Sequence, residues 1–460
     1  MPPQLRRALG FRDLVLFYVV TTFSLRWIAT AAAAGPSALV LWAIAAAFLF
    51  VPLVFTVLEL SSRYPDEGGL YVWTKHAFGP FAGFLTGWMY WSTNLPYFPG
   101  LLYFAAANAL FVGGRSAQSL SASAPYFIVF SVIGLAIAVI LNVVGLNIAK
   151  WLSNAGAIAG WIPIGFLVAF GLYSWTKYGS ATPITAHALM PGTGVKDLVF
   201  LSTIAFAFGG VESGSTMGEE IVDAERTVPR AVVTAGVLIA TLYIIGTWCL
   251  LLALPKDQLS GLQGAMQAMQ AMATRAGAQW IVPIAAAAIT LSALGGTGAW
   301  FAATARLPFV AGLDRYLPAA FGALHPRWKT PHVALYVQAA FAFVFVFIGQ
   351  AGTSVRGAYE TLVSMAVISY FIPFLYMFAA LARLQREPAR PGVLRVPGGP
   401  IVAKVLATLG FLVTLAAIVL ACVPADDDPN KTLTVVKIVG GSVVLVATGA
   451  IVYVLGKRRS

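Results

Sequence analysis

Charged residues are scarce in this 460-residue chain: Asp, Glu, Lys and Arg make up 10%, against 59% hydrophobic residues, and mean hydropathy is +0.83. A soluble domain of this length needs a polar surface, so the scarcity of charge excludes one. Cysteine is nearly absent. Cys249 and Cys422 both lie inside apolar stretches, where they form no disulfide or metal-binding pattern and are expected to pack as small core residues. Histidine occurs four times, at His76, His187, His325 and His332, always in or near a polar connection. No Gly-x-Ser-x-Gly, His-Glu-x-x-His or P-loop motif is present. Nothing therefore points to an enzyme or to ATP-driven transport within the chain, and no cofactor or metal is expected. Met1–Leu9 lacks an apolar stretch, so no cleavable signal peptide is expected.

What the chain has in abundance is apolar runs of about 20 residues, each long enough to cross a ~30 Å hydrocarbon core as a helix. In lipid every backbone polar group needs an internal partner, so continuous runs predict an all-α bundle; a β-barrel would alternate. Twelve spans are predicted: 13–33, 37–61, 81–112, 125–146, 150–174, 197–220, 229–254, 278–306, 331–350, 359–382, 399–423 and 433–455. Gly35-Pro36 makes a tight first hairpin, and the longer connections are 62–80, 175–196, 255–277 and 307–330.

The net charge of +12 does not signal nucleic acid, because the basic residues sit in short connections between spans. Of the 29 Lys and Arg, 20 share a side with the N terminus, 8 fall on the other side, and Arg26 lies within the first span. That bias predicts a multi-pass protein of the cell membrane with both termini cytoplasmic.

Two charges fall at depth. A charge near the bilayer centre costs at least ~2.5 kcal/mol on insertion scales, so it marks a functional site by default. Glu212 stands in "FAFGGVESGSTMGEE" (206–220), beside Gly209-Gly210 and followed by Gly214 and Gly218. Glycine weakens a helix by roughly 1 kcal/mol against alanine and lets the backbone unwind, exposing polar groups to a ligand. Glycine also serves close packing in membrane helices, but the adjacent carboxylate favours a binding segment at 206–215. Arg26 is the basic counterpart, in "VVTTFSLRWIATAAAAGP", where Thr21, Thr22, Ser24 and Thr30 also interrupt the apolar run. Paired breaks in spans 1 and 6 are the mark of an inverted five-span repeat. The long connections at 62–80 and 255–277, on opposite sides, agree with it. Segment 261–275 is expected to form a short helix over the outer mouth, its methionines packing.

Three stretches resemble the amino acid–polyamine–organocation (APC) permeases: "ELSSRYPDEGGLYVWTKHAFGPFAGFLTGWMYW" (59–91), "FAFGGVESGSTMGEEIVDAERTVPRAV" (206–232) and "ARLPFVAGLDRYLPAAFGALHPRWKTPHVAL" (305–335). They occur in the family's order. The resemblance implies a LeuT-type five-plus-five fold with two added C-terminal helices: tail 1–10, first repeat 11–175, second repeat 197–384, two helices in 399–455, and tail 456–460. It implies amino acids or related amines as substrates, bound between unwound parts of spans 1 and 6, with spans 3, 8 and 10 closing the site. It also gives Glu212 a gating or proton-coupling role. "LNVVGLNIAKW" and "EGGLYVWTKHAFGP" are similar to the glutamate/GABA-antiporter and polyamine-uptake branches. Two positions depart from the family's pattern: span 1 has no glycine at its break, and Gly160 stands where many proton-coupled members carry a lysine.

The candidate substrate-binding residues are Thr22, Ser24, Arg26, Phe208, Gly209, Gly210 and Glu212, with Glu212 and Arg26 also candidates for gating or proton coupling. Arg26 has three open roles: binding an anionic group of the substrate, pairing with Glu212, or a structural charge. Tyr97, Tyr103 and Phe208 are candidates to cover the ligand, and Asn94, Ser292 and Thr297 are polar at plausible depth. Asp66, Glu67, Glu219, Glu220, Asp223, Arg226 and Arg230 form inner-side ion pairs or remain solvated. The expected function is secondary active transport by alternating access, spans 1, 2, 6 and 7 rocking against 3, 4, 8 and 9. Partners are a small-molecule substrate, protons in symport or exchange, and the bilayer. A non-transporting nutrient sensor of the same fold is the alternative, and a polytopic membrane enzyme a third class.

Overall fold

In a computed structural model, the described residues are 10–64, 68–192, 194–213, 221, 223–305, 307, 316–388, 392–424 and 430–458. They are helical, with no β-strand among them. Among the described residues nine helices are unbroken and apolar enough to cross a membrane: α3 (Ser37–Arg63), α7 (Ala124–Val144), α8 (Leu146–Tyr178), α10 (Ala224–Ala253), α12 (Ile281–Thr304), α13 (His332–Gln350), α14 (Val355–Leu384), α15 (Gly399–Ala421) and α16 (Lys431–Lys457). The other three expected spans are in pieces. Span 1 is α1 (Phe11–Thr22) and α2 (Leu25–Ala32), and span 3 is α5 (Pro80–Ser92) and α6 (Asn94–Ala109). Span 6 begins as α9 (Val195–Phe206) and then unwinds. The connection after α3 carries a further helix, α4 (Leu70–Phe78), and the one after α10 carries α11 (Gly264–Arg275).

Each interruption has a local cause. In span 3, Pro96 and Pro99 lack the N–H groups that would close the ladder onto Ser92 and Leu95. In span 6, Gly210 takes φ +126°, a conformation closed to other residues, and a Cβ there would lie 2.7 Å from Thr22 Oγ1. Span 1 breaks without glycine because Phe23 (φ −78°, ψ 131°) and Ser24 (φ −148°, ψ 135°) are simply extended, which any L-residue can adopt. The Ser24 hydroxyl then caps α2 by accepting from the Arg26 N–H at 3.4 Å.

Around these breaks the unbroken helices form the scaffold. α8 and α12 approach so closely that a Cβ on Gly156 would sit 2.8 Å from Gly295 Cα. α6 packs against α12, α13 and α14, and α10 against α1 and α2. α11 lies against α2, α8, α10 and α12, with Met266, Met269 and Met272 buried. The outward faces are apolar, Ile401 being 77% exposed and Trp151 71%, as a lipid-facing surface requires.

At the last turn of α3, Glu59 is buried and bound on all sides. It accepts from Arg63 Nε at 3.0 Å and Nη2 at 2.9 Å, from Gln385 Nε2 at 2.6 Å and from the Val396 N–H at 2.9 Å. Arg63 in turn donates to the carbonyls of Leu384 and Glu387. This network ties the end of α3 to the α14–α15 connection. Asp223, Arg226 and Arg230 are exposed. Asp66, Glu67, Gly214, Gly218, Glu219 and Glu220, for which roles were expected from sequence, lie outside the described residues.

Candidate functional site

A cavity of about 180 Å³ lies where the two breaks cross. Thr22, Phe23 and Ser24 of span 1 form one wall and Gly209 of span 6 another. Tyr90, Asn94 and Tyr97 of span 3, Gly160 of α8, Ser292 of α12 and Tyr370 of α14 close it. Among the described residues that line it there is no Asp, Glu, Lys, Arg or His.

The breaks share one staple. The Tyr243 hydroxyl, from α10, lies 2.8 Å from the carbonyl of Thr22, the last residue of α1, and 3.1 Å from that of Ala207, the first residue after α9. It also accepts from the Ser24 N–H at 3.3 Å. Carbonyls freed by unwinding are thereby supplied with a donor inside the bundle. The Tyr243 ring is held flat against Trp42, centroids 4.2 Å apart and 7° between planes.

Both deep charges stand one aromatic layer behind the cavity wall. Glu212 is fully buried, its Oε1 accepting from the hydroxyls of Tyr90 at 2.9 Å and of Tyr370, and its Oε2 from the Gly210 N–H at 2.9 Å. The two tyrosines line the cavity with their rings stacked 5.8 Å apart, and so connect the carboxylate to the cavity wall. Gly209 is what lets Tyr370 in, since a Cβ there would lie 2.3 Å from the ring. The donors from Tyr90, Tyr370 and Gly210 make a strong site for negative charge, and two of them belong to the cavity wall.

Arg26, in the first turn of α2, is 1% exposed, and none of its three guanidinium nitrogens has a hydrogen-bond partner among the described residues. Its charge rests on the ring of Trp27, 4.0 Å away, and that of Tyr97, 4.8 Å away. Cation–π contact is worth about 2 kcal/mol when desolvated, less than the several kcal/mol that burying an ion costs.

The other expected residues separate clearly. Thr22, Ser24 and Gly209 line the cavity; Gly210 shapes it from behind. Phe208 does not line it. Its ring packs among Phe50, Trp42 and Tyr243 at 5.0, 5.5 and 5.8 Å, and Phe206, two residues earlier and so on the other face, reaches the cavity instead. Tyr97 lines the cavity, whereas Tyr103 bonds Gln350 at 3.1 Å away from it. Asn94 and Ser292 are lining residues; Thr297 donates to the Ala293 carbonyl within its own helix. At Gly160 a Cβ would lie 2.8 Å from Ser292 Oγ, so the α12 hydroxyl fills the space beside the position where the family's lysine was expected.

Sequence reasoning did not single out Tyr90, Tyr370, Trp27 or Tyr243. The one available signal was that tyrosine hydroxyls at bilayer depth must find partners, and 16 tyrosines dilute it.

The geometry has counterparts among known proteins. Over 96% of this chain and 95% of its own length, an uncharacterized transporter of Legionella pneumophila is 26% identical. The probable agmatine/putrescine antiporter AguD of Lactococcus lactis is 21% identical over 95% of this chain and 93% of its own. Both relatives are named as transporters, neither as a sensor or an enzyme. The crystal structure of MhsT in complex with L-phenylalanine superposes with a TM-score of 0.59 at 15% identity, covering 91% of this chain and 98% of that one, which establishes the LeuT-type fold. A family model described as amino acid permease matches residues 9–444, taking in both broken spans and every wall of the cavity, and the chain accordingly belongs to the amino acid permease family of the APC superfamily.

Proposed function

We propose that the cavity at the crossed breaks is the transport site of a secondary carrier for amino acids or related amines. The observation that carries this reading is the placement of Glu212 behind Tyr90 and Tyr370, where a change of its charge acts directly on the cavity wall. Thr22, Ser24 and Gly209 contact the substrate, Gly210 keeps the break open, and Glu212 couples substrate occupancy to gating or to a proton. Exchange against a related metabolite is an equal candidate for the driving force, by analogy with the antiporter AguD. The repeats 11–175 and 197–384 supply the two moving halves, followed by the helices within 399–455. The tails 1–10 and 456–460 are assigned to the cytoplasm on the charge bias.

The test is uptake into proteoliposomes of acidic, neutral and basic amino acids, 4-aminobutyrate and polyamines, each with a proton gradient, a sodium gradient or preloaded cold substrate. Flux of one class supports the reading, and the condition that drives it separates symport from exchange. Binding of a substrate with no flux under every condition contradicts it.

A further inference from the structure

We infer that Arg26 is the specificity residue of this carrier and selects substrates that bear a carboxylate, disfavouring diamines and polyamines. The inference rests on the cavity being the transport site. Arg26 is 1% exposed, and its Nε, Nη1 and Nη2 are all without a hydrogen-bond partner among the described residues. The crevice around it, bounded by Pro96, Gly100, Leu362 and Val363, leaves no room for a water molecule. A buried guanidinium without an acceptor is rare and calls for a specific cause, and an acceptor supplied by bound substrate is one. Two rings decide where that acceptor comes from. Trp27 and Tyr97 bound both the crevice and the cavity, and they are the rings that carry the guanidinium. These two rings stand between Arg26 and the cavity, so the inference requires one of them to move aside when substrate binds. Arg26 also belongs to the first turn of α2, where the helix dipole has the same sign as its charge, so an anion bound near that turn is favoured by both.

A planar carboxylate matches the guanidinium fork through two parallel N–H···O bonds. The ammonium of an amino acid then has Tyr90 and Tyr370 across the cavity, their hydroxyls backed by Glu212. A diamine would place a second cation against Arg26 with no lining carboxylate among the described residues to offset it.

Pairs that differ only by the carboxylate test this: serine against ethanolamine, ornithine against putrescine, arginine against agmatine, each as binding to the full chain in nanodiscs and as flux in proteoliposomes. The wild type is expected to prefer the carboxylate-bearing member at least about tenfold. Arg26→Gln should shrink that preference to within about threefold by weakening the amino acid alone, with Arg26→Lys between. Gly100→Ala adds a methyl 3.8 Å from Arg26 Nη1 at ordinary contact distance and should narrow the preference in the same direction in a chain that folds normally. A wild type that prefers putrescine or agmatine overturns the inference. So does an Arg26→Gln or Gly100→Ala chain that weakens both members of each pair equally. Flux of diamines equal to or faster than that of their carboxylate-bearing partners overturns the inference while upholding transport; carboxylate-selective binding without any flux overturns transport while upholding the inference.

Discussion

The hydroxyl of Tyr243 lies 2.8 Å from the carbonyl of Thr22 and 3.1 Å from that of Ala207, so one side chain of α10 holds both breaks. A hydroxyl has a single proton to donate, so the Thr22 and Ala207 carbonyls share it, and the Ser24 N–H completes the set. The unwound crossing is therefore a built feature with its own support.

Tyr243→Phe keeps the ring against Trp42 and removes only the staple. It leaves buried acceptors short of a donor, at a cost of about 1–3 kcal/mol. The expected outcome is a lower unfolding temperature in detergent together with slower uptake. An unchanged unfolding temperature would show that the carbonyls find another donor.

Glu212→Gln keeps the shape of the side chain and removes its charge. Uptake driven by a gradient should be abolished, or uncoupled so that only exchange with preloaded substrate persists, while the protein remains folded. Tyr90→Phe and Tyr370→Phe should each reproduce part of this, since each deletes one donor to Oε1. Gradient-driven uptake at the wild-type rate in Glu212→Gln would remove the residue from the mechanism.

Gly210→Ala asks an L-residue to hold φ +126° and drives a methyl against Thr22 Oγ1 and the Thr21 carbonyl. The strain is of order 1–3 kcal/mol. Transport should fall at least tenfold, and the loss should show as weaker substrate binding, because the walls of the cavity move apart.

Glu59→Ala leaves Arg63 buried with only carbonyl partners, and breaking a buried pair in this way costs about 3–5 kcal/mol. The expected result is a sharp drop in thermal stability, with Glu59→Gln intermediate. Limited proteolysis at the 385–396 connection should become faster in both.

Much of this was legible in the sequence, for physical reasons. Apolar runs of membrane length declare themselves, and so do Glu212 and Arg26, because a charge at depth is too costly to be incidental. Glycines at 209 and 210 marked the break in span 6. The break in span 1 carried no such mark, since Phe23 and Ser24 turn the chain with negative φ that any residue can adopt. Phe208 is a candidate for its place beside the break, but the sequence does not show which way its ring turns: it packs among Trp42, Phe50 and Tyr243, and Phe206 lines the cavity. Glu59 resembled a solvated charge at a span end, and its burial depends on residues more than three hundred positions away. Tyr90, Tyr370 and Tyr243 act through partners that are distant in the chain, so local pattern could not distinguish them from packing tyrosines.

The most direct test of the central claim is substrate protection at the cavity wall. Ser292→Cys, in a chain whose Cys249 and Cys422 are replaced by alanine, places one thiol beside Gly160 on the lining of the cavity. Its reaction with a small thiol reagent is followed with and without the substrate found by uptake. The account predicts that saturating substrate slows labelling at least about tenfold, and that Glu212→Gln alters this protection. Labelling at the same rate with substrate bound would contradict it and place the transport site elsewhere.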